Sequence, residues 1–428
     1  GHRNRGPIWG WHMRIAVIGA GISGIAAAHS LRKTGHVVEI YEKSEQIGGV
    51  WSCGYPNVRL QNTRDHYRLM DMPWSARPDR HPTSSQIQQH LHEAIANLHI
   101  PIKLGHEVTQ LKEIEDGWQL CYQNSEGVGQ EDYDFIIPSI GQYSGDKRGT
   151  EFPGQHKFKG EVLTEREIND LSVFNGKRVL VMGFGKSALD MATLAVEQAS
   201  EVHHIFRKPR WMIPFHILGI HYSRLLFCRM GTVLMPSWVQ PNALETFIHK
   251  RLGFLVRGNW NVVKTIVKAQ IYLLGIGKSK VVKNRLAALT PEHDLVDDFR
   301  SATAMQPQMY TRYIAQERLL PRQGELSSFT ESGVVLEDGQ NIDCDLVVLS
   351  LGSGSPKFPF MPERYRQLLE SEPDGVQLYR HILHPRIPRM AFAGFNHGFM
   401  HVPAVEVGML WLSAFLEGEL VLPSTEAM

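Results

Sequence analysis

Between Met13 and Glu42 the chain carries a pattern that permits few folds: a short apolar strand, a glycine turn, a helix and a second strand closing on an acid. Arg14 to Ile18 is rich in β-branched residues, and Gly19-Ala20-Gly21-Ile22-Ser23-Gly24 follows without a gap, which is G-x-G-x-x-G in the setting that gives it meaning. Gly19 allows the tight turn, Gly21 lets backbone N–H groups approach a pyrophosphate, and Gly24 lets the helix Ile25 to Lys33 lie close to the strand. The helix N-terminus favours the phosphate charge. Val37 to Glu42 then ends in a carboxylate eighteen residues beyond Gly24, suited to ribose hydroxyls and repelling a 2′-phosphate. A glycine motif alone is weak, but strand, helix and acid together read as a dinucleotide site.

The pattern recurs. Lys177 to Met182 is a strand, Gly183-Phe184-Gly185-Lys186-Ser187-Ala188 is G-x-G-x-x-A, and Leu189 to Val196 begins a helix. The Gly-Lys-Ser inside it is not a P-loop, because Leu180 stands where that motif needs a glycine. The next strand, Val202 to Arg207, ends in a guanidinium with Lys208 and Arg210 behind it. Arginine pairs bidentately with phosphate, so this unit favours a 2′-phosphorylated adenosine. The reversal of sign assigns FAD to the first site and NADPH to the second.

The chain's 428 residues, 43% of them apolar, support two or three domains. A net charge of +1 indicates neither an acidic nor a basic partner, and no nucleic-acid-binding patch is evident from it. Cys53, Cys121, Cys228 and Cys344 form no C-x-x-C pair and no metal-ligand spacing, which suggests a reducing, cytoplasmic setting and no metal site. No apolar run approaches the roughly 18 residues of a membrane span, and no signal core follows a basic start. Residues 1–12 read poorly as structure and are expected to be an added remnant, with the natural start at Met13.

Elsewhere, Gly48-Gly49-Val50-Trp51 suits a loop pressed against a flat ligand, and Ser84 to Leu98 reads as a helix capped by Thr83 or Ser84. Val108 to Ile114 and Trp118 to Gln123 flank an Asp116-Gly117 turn, and a strand from Tyr133 to Ile137 ends at Ser139-Ile140-Gly141. Phe152 to Glu167 looks like a linker. Residues 212–320 mix apolar clusters with Lys and Arg and are expected to be a mostly helical insertion. Such a piece lines a substrate tunnel or makes peripheral membrane contact, although ordinary core packing explains most such segments. Ser332 to Leu336 and Asp345 to Leu349 read as a hairpin leading to Ser350-Leu351-Gly352, an echo of Ser139-Ile140-Gly141 that suggests two crossings between domains. Arg389 to Phe395 is expected as a last buried strand and Val405 to Leu416 as a last helix, with Glu406 in its first turn.

The fold class is thus α/β: two Rossmann-like dinucleotide-binding domains, the first over 13–157 and 329–428, the second over 158–328 with the insertion inside it.

With these motifs assembled, the sequence resembles the class B flavin-containing monooxygenases, from Met13 to about Gly418 apart from the insertion. The FAD glycines match Gly19, Gly21 and Gly24, the ribose acid Glu42, and the Gly-Gly-x-Trp motif Gly48 to Trp51. Asn62, after Leu60 and Gln61, resembles the family's active-site asparagine, and Arg207, Trp211 and Pro214 resemble its Arg-x-x-x-Trp-x-x-Pro. Pro403-Ala404-Val405-Glu406 with Trp411 resembles the closing helix. The resemblance implies FAD contacts at Ser23, Lys43, Gly49, Val50, Trp51, Gln61, Asn62 and Val108, and NADPH contacts at Gly183, Gly185, Lys186, Ser187, Arg207 and Lys208. One departure stands in the family's F-x-G-x-x-x-H motif: Phe158 and Gly160 are present, but Thr164 occupies the histidine position, and Ile168 the aromatic one four residues later.

The implied chemistry is reduction of flavin by NADPH, capture of O₂ as a C4a-hydroperoxyflavin, and oxygenation of a small organic substrate, more readily at N or S than by Baeyer–Villiger attack on a ketone. Asn62 is the catalytic candidate, since an amide donates and accepts without a labile proton. A flavin oxidoreductase or oxidase without oxygen insertion, and a non-catalytic redox sensor, stay open on the residues alone.

Overall fold

The computed structural model describes residues 12–235, 242–299, 304–396, 398 and 400–428. The expected N-terminal remnant therefore lies outside the described residues, apart from His12. The chain divides into two compact units, residues 1–146 with 353–428, and residues 147–352.

In the first unit, β1 (Arg14–Ile18) is followed by α1 (Ile22–Lys33) and β2 (Val37–Tyr41), as the opening pattern predicts. β1 pairs in parallel with β2 on one side and with β7 (Phe135–Pro138) on the other, and β3 (Ile102–Lys103) adds to β2, giving the order β3-β2-β1-β7. Ile15 to Ile18 are buried, as expected of a parallel strand covered on both faces. α1 packs against the closing helix His401–Leu416, and the buried His36 ties that helix to the start of β1: its Nδ1 accepts from the Met13 N–H at 3.2 Å and its Nε2 lies 3.0 Å from Ser413 Oγ. α2 (Ser84–Leu98) begins in a complete capping box between Thr83 and Gln86 and buries Ile87, Leu91 and Ala94 along one face.

The hairpin around Asp116-Gly117 extends to a third strand, so β4 (Glu107–Ile114), β5 (Gly117–Asn124) and β6 (Gly127–Tyr133) form an antiparallel sheet. It buries Trp118 and Leu120 in a core with Phe358, Phe392 and Tyr41. The expected strand from Arg389 to Phe395 is buried but is not a strand: a single parallel bridge joins Met390 to Ile136. Trp118 Nε1 donates to the Arg389 carbonyl at 3.1 Å, so part of that segment's hydrogen bonding goes to a side chain.

The second unit repeats the architecture. β8 (Glu161–Thr164), β9 (Arg178–Met182) and β10 (Glu201–Phe206) join strands Leu320–Gln323 and Leu346–Leu349 in a five-stranded parallel sheet, with α3 (Lys186–Ala195) following β9. This corrects two expectations. Leu346–Leu349 does not hairpin with residues 333–336, because it lies parallel between β9 and β8, and strands Leu326–Phe329, Gly333–Leu336 and Asn341–Asp343 form their own antiparallel sheet. Residues 329–352 accordingly belong with the second unit and the chain returns to the first at Ser353, just past Ser350-Leu351-Gly352. Residues 147–157, placed in the first domain from sequence, also belong with the second unit. Arg178 holds the neighbouring strand through Asp345, with Nη2 to Oδ1 at 2.8 Å and Nε to Oδ2 at 3.1 Å, and the guanidinium holds that carboxyl down at about 2.

Replacing Leu91, which has no exposed surface, by alanine should lower stability by about 2–5 kcal/mol, and Thr83→Ala by about 1 kcal/mol. Urea unfolding midpoints of the two variants measure this, and equal effects would contradict the assigned roles.

Candidate functional site: two glycine cradles

At the head of β1, Gly19 adopts φ +112°, and a Cβ there would lie 2.3 Å from the Ser139 carbonyl oxygen at the end of β7. A Cβ on Gly24 would lie 2.0 Å from the Gly19 carbonyl oxygen, which is why α1 can begin so close to the strand. Gly21 is the N-cap and offers no side chain to the first-turn N–H groups, so these donors face outward for an anion. Opposite stands Gly49, whose added Cβ would lie 3.2 Å from Gly21 Cα. Two backbones thus approach where side chains would fill the space, and the Gly48 N–H donates to the Ala20 carbonyl at 2.8 Å to hold them there.

Glu42 follows β2 and turns its carboxylate toward this cradle. Oε2 accepts from the Ala20 N–H and Oε1 from the Ser44 N–H, each at 2.8 Å. Lys43 and Val50 are exposed beside it, Gln61 is half-buried, and Val108 is buried in β4 in the same core as Tyr41. Trp51 donates from Nε1 to Tyr67 Oη at 2.9 Å, and burial pushes the Tyr67 phenol up to about 12. Asn62 is only 3% exposed; its Oδ1 accepts from the Thr63 N–H at 2.7 Å, and its carbonyl lies 2.9 Å from Nδ1 of His81. Burial holds the His81 imidazole below its ordinary value, so the asparagine's neighbour is neutral.

Sequence reasoning missed a third side of this cradle. Ser23 Oγ lies 2.7 Å from Nε2 of His401, and Gly394, at φ +86°, passes so close that a Cβ would meet Ser23 Oγ at 2.6 Å. The closing helix starts at His401 rather than Val405, since Pro403 is tolerated in a first turn. Glu406 is buried, accepts from the Met70 N–H at 2.6 Å, and has its carboxyl pushed upward by desolvation. The apolar run ending at Gly394 was the available signal for this contact.

The second cradle has the same construction. Gly183 adopts φ +116° with a Cβ that would lie 2.1 Å from the Ser350 carbonyl oxygen, and Gly185 caps α3 without a side-chain bond, in open space. Lys186 pairs with Asp190 one turn on, and Ser187 is half-buried. At the end of β10, Arg207 and Lys208 are exposed, and the Arg207 carbonyl accepts from Gln323 Nε2 at 2.9 Å. Behind the turn sits His204, fully buried and stacked 5.7 Å from Phe184. Its Nε2 lies 2.6 Å from the Gly183 carbonyl oxygen and its Nδ1 2.7 Å from Tyr310 Oη. With the carbonyl as acceptor, Nε2 carries the hydrogen and Nδ1 accepts from the tyrosine.

Both cradles also keep a buried hydroxyl without a protein partner, Ser139 Oγ beside Gly19 and Ser350 Oγ beside Gly183. Uncapped helix donors, glycine walls and an orphaned polar atom are what a pyrophosphate-bearing ligand requires, so both sites fit dinucleotides. Thr164 ends β8 as a cap: its N–H donates to Glu167 Oε2 at 2.7 Å and its hydroxyl to the same oxygen at 3.0 Å. The Phe158 ring folds over Gly160, where a Cβ would lie 2.4 Å from it. In the insertion, a cavity of about 480 Å³ is lined by Pro214, Phe215, Val267, Ile271, Leu274 and Met309 among others. No cluster of metal ligands occurs among the described residues, and all four cysteines are free.

The family described as pyridine nucleotide-disulphide oxidoreductase matches residues 16–215, which take in both glycine turns. A probable flavin-containing monooxygenase 1 of Arabidopsis thaliana is 27% identical over 97% of this chain and 84% of its own length. Among solved structures, cyclohexanone monooxygenase in its open form superposes with a TM-score of 0.71 at 17% identity, covering 95% of this chain and 88% of that one. The complex of OTEMO with FAD and NADP also gives 0.71 at 17% identity, over 95% and 85%.

His204 carries a pH signature. Desolvation holds it at about 4 against an ordinary 6.5, so between those values the unfolded chain binds more protons than the folded one. Its stabilising share is complete above pH 6.5 and is lost as pH falls toward 4, by about 3 kcal/mol. Urea midpoints of wild type and His204→Gln at pH 7.5 and about pH 5 should differ in slope, the variant's being flatter. Equal slopes would contradict the assignment.

Proposed function

We propose that this chain, similar over most of its length to flavin-containing monooxygenases, is a class B flavin-containing monooxygenase that oxygenates a small organic substrate at a soft nitrogen or sulfur atom, with FAD in the first cradle and NADPH in the second. The observation that carries the assignment of cofactors to cradles is the opposite charge at two equivalent strand ends, Glu42 after β2 and Arg207 after β10. The carboxylate favours a free ribose diol, and the exposed guanidinium and Lys208 favour a 2′-phosphate. When bound, the flavin supplies reduction by NADPH and activation of O₂.

The protein's part is to bind, orient and exclude water. Gly21 and Gly49 admit the pyrophosphate, the first-turn N–H groups of α1 take its charge, and Trp51, anchored through Tyr67, walls the same loop. Asn62 offers a buried amide whose Oδ1 accepts from the Thr63 N–H, while its backbone carbonyl lies against His81, whose imidazole burial holds below its ordinary value. A neutral amide there would offer both a donor and an acceptor to a bound flavin without a titratable proton of its own. Ketone oxygenation is the second reading, favoured by the fold shared with cyclohexanone monooxygenase. Paired redox cysteines are absent among the described residues, which argues against disulfide reduction. Four free thiols suit a reducing, cytoplasmic setting.

NADPH oxidation measured beside product formation, across amines, thioethers and ketones, tests the reading; stoichiometric product from amines or thioethers is expected, and peroxide as the sole product with every class would overturn it. Arg207→Ala should raise KM for NADPH by about 10- to 100-fold while leaving that for NADH within about twofold. An equal rise for both would remove the phosphate role. Asn62→Ala should retain flavin, seen in the visible spectrum, and divert most NADPH oxidation to peroxide; unchanged coupling would make the residue structural only.

A further inference from the structure

The chain's charge is segregated. From Val202 to Pro291 there are fourteen Lys and Arg side chains and one carboxylate, Glu245, so these ninety residues carry +13 while the rest of the chain carries −12. The overall +1 conceals this, and the expectation drawn from it, that no acidic partner is indicated, does not hold for this stretch.

The same stretch exposes apolar side chains. Of twenty-one large hydrophobic residues exposed among the described residues, twelve fall between Leu218 and Val281. They are organised by the helix Gly253–Leu274, which has no acidic residue. It buries Val256, Trp260 and Val267 on one side. On the opposite side, at about 100° per residue, Phe254 and Tyr272 share a line, Leu255, Val262 and Leu273 fall to one flank, and Arg257 and Lys268 to the other. Phe254 is 60% and Tyr272 73% exposed, far more than a packed helix face allows. The adjoining helix Ala243–Arg251 packs against it and turns Leu244 and Phe247 outward as well.

We propose that the outer face of these two helices rests on an anionic lipid surface, its apolar side chains in the headgroup boundary and its Arg and Lys on the phosphates. An apolar flank beside a basic one, without acids, is the pattern of a helix lying in a bilayer interface. Phe254, Leu255, Tyr272 and Leu273 would be wasted on a nucleic acid, whose phosphates ask only for the cations. A second copy could cover this face only by pairing it with itself, which would set one strongly basic stretch against another. No helix among the described residues is long and apolar enough to cross a membrane, so the contact is with the surface.

Flotation of the flavin-loaded full chain with vesicles tests this, using phosphatidylcholine alone or with about one third phosphatidylglycerol. Partition into the anionic vesicles should be at least about tenfold stronger and should fall with added salt. Phe254→Glu with Tyr272→Glu should cut it about tenfold or more, and Arg257→Gln or Lys268→Gln about fivefold each. All four side chains are exposed, Lys268 also reaching the Trp211 ring at 5.6 Å, and unchanged circular dichroism and flavin content show that the fold is kept. Equal partition into both vesicles, none into either, or wild-type flotation of the variants would overturn the proposal. So would a dimer that the same substitutions dissolve, or retention of a DNA duplex that they abolish.

Discussion

A backbone carbonyl pressed against a glycine with no room for a side chain stands at the head of each sheet. Ser139 oxygen meets Gly19 in one unit and Ser350 oxygen meets Gly183 in the other, where added methyls would sit at 2.3 and 2.1 Å. Because the turn is that tight, each helix starts directly over its strand, with an uncapped N-terminus facing the place a phosphate would occupy. Each carbonyl belongs to a Ser-x-Gly: Ser350-Leu351-Gly352 ends the second unit, and Ser139-Ile140-Gly141 lies shortly before the first unit's boundary at Asp146.

The two cradles differ in what supports them. The first is closed by loop and helix: Gly49 from one side, and Ser23 held to His401 and Gly394 from the other. The second is braced from beneath by a buried imidazole that bonds the Gly183 carbonyl and is itself held by Tyr310. A neutral histidine with both nitrogens engaged costs little to bury and fixes the carbonyl it bonds.

Much of this was legible in the chain because its signals are local. Strand, turn, helix and acid follow one another within thirty residues, and α2 announced itself through a cap at Thr83 or Ser84 and an apolar stripe. What stayed hidden depends on distant partners. Leu346–Leu349 looks like half of a hairpin until β9 and β8 are seen to flank it, and the buried run near Met390 lies along β7 through a few backbone bonds but forms only an isolated bridge there. His204 and His401 carry no spacing pattern, and their roles exist only through contacts with Gly183 and Ser23. The basic stretch was present in the sequence but vanished in the average, since +13 and −12 leave +1.

The claim that two separate dinucleotide sites of opposite preference occupy one chain is tested most directly by calorimetric titration of flavin-stripped protein with FAD and then with NADP⁺. One FAD per chain should bind, and one NADP⁺ should bind afterwards with FAD still in place. NADP⁺ that displaces the flavin, or a single dinucleotide per chain in total, would contradict it.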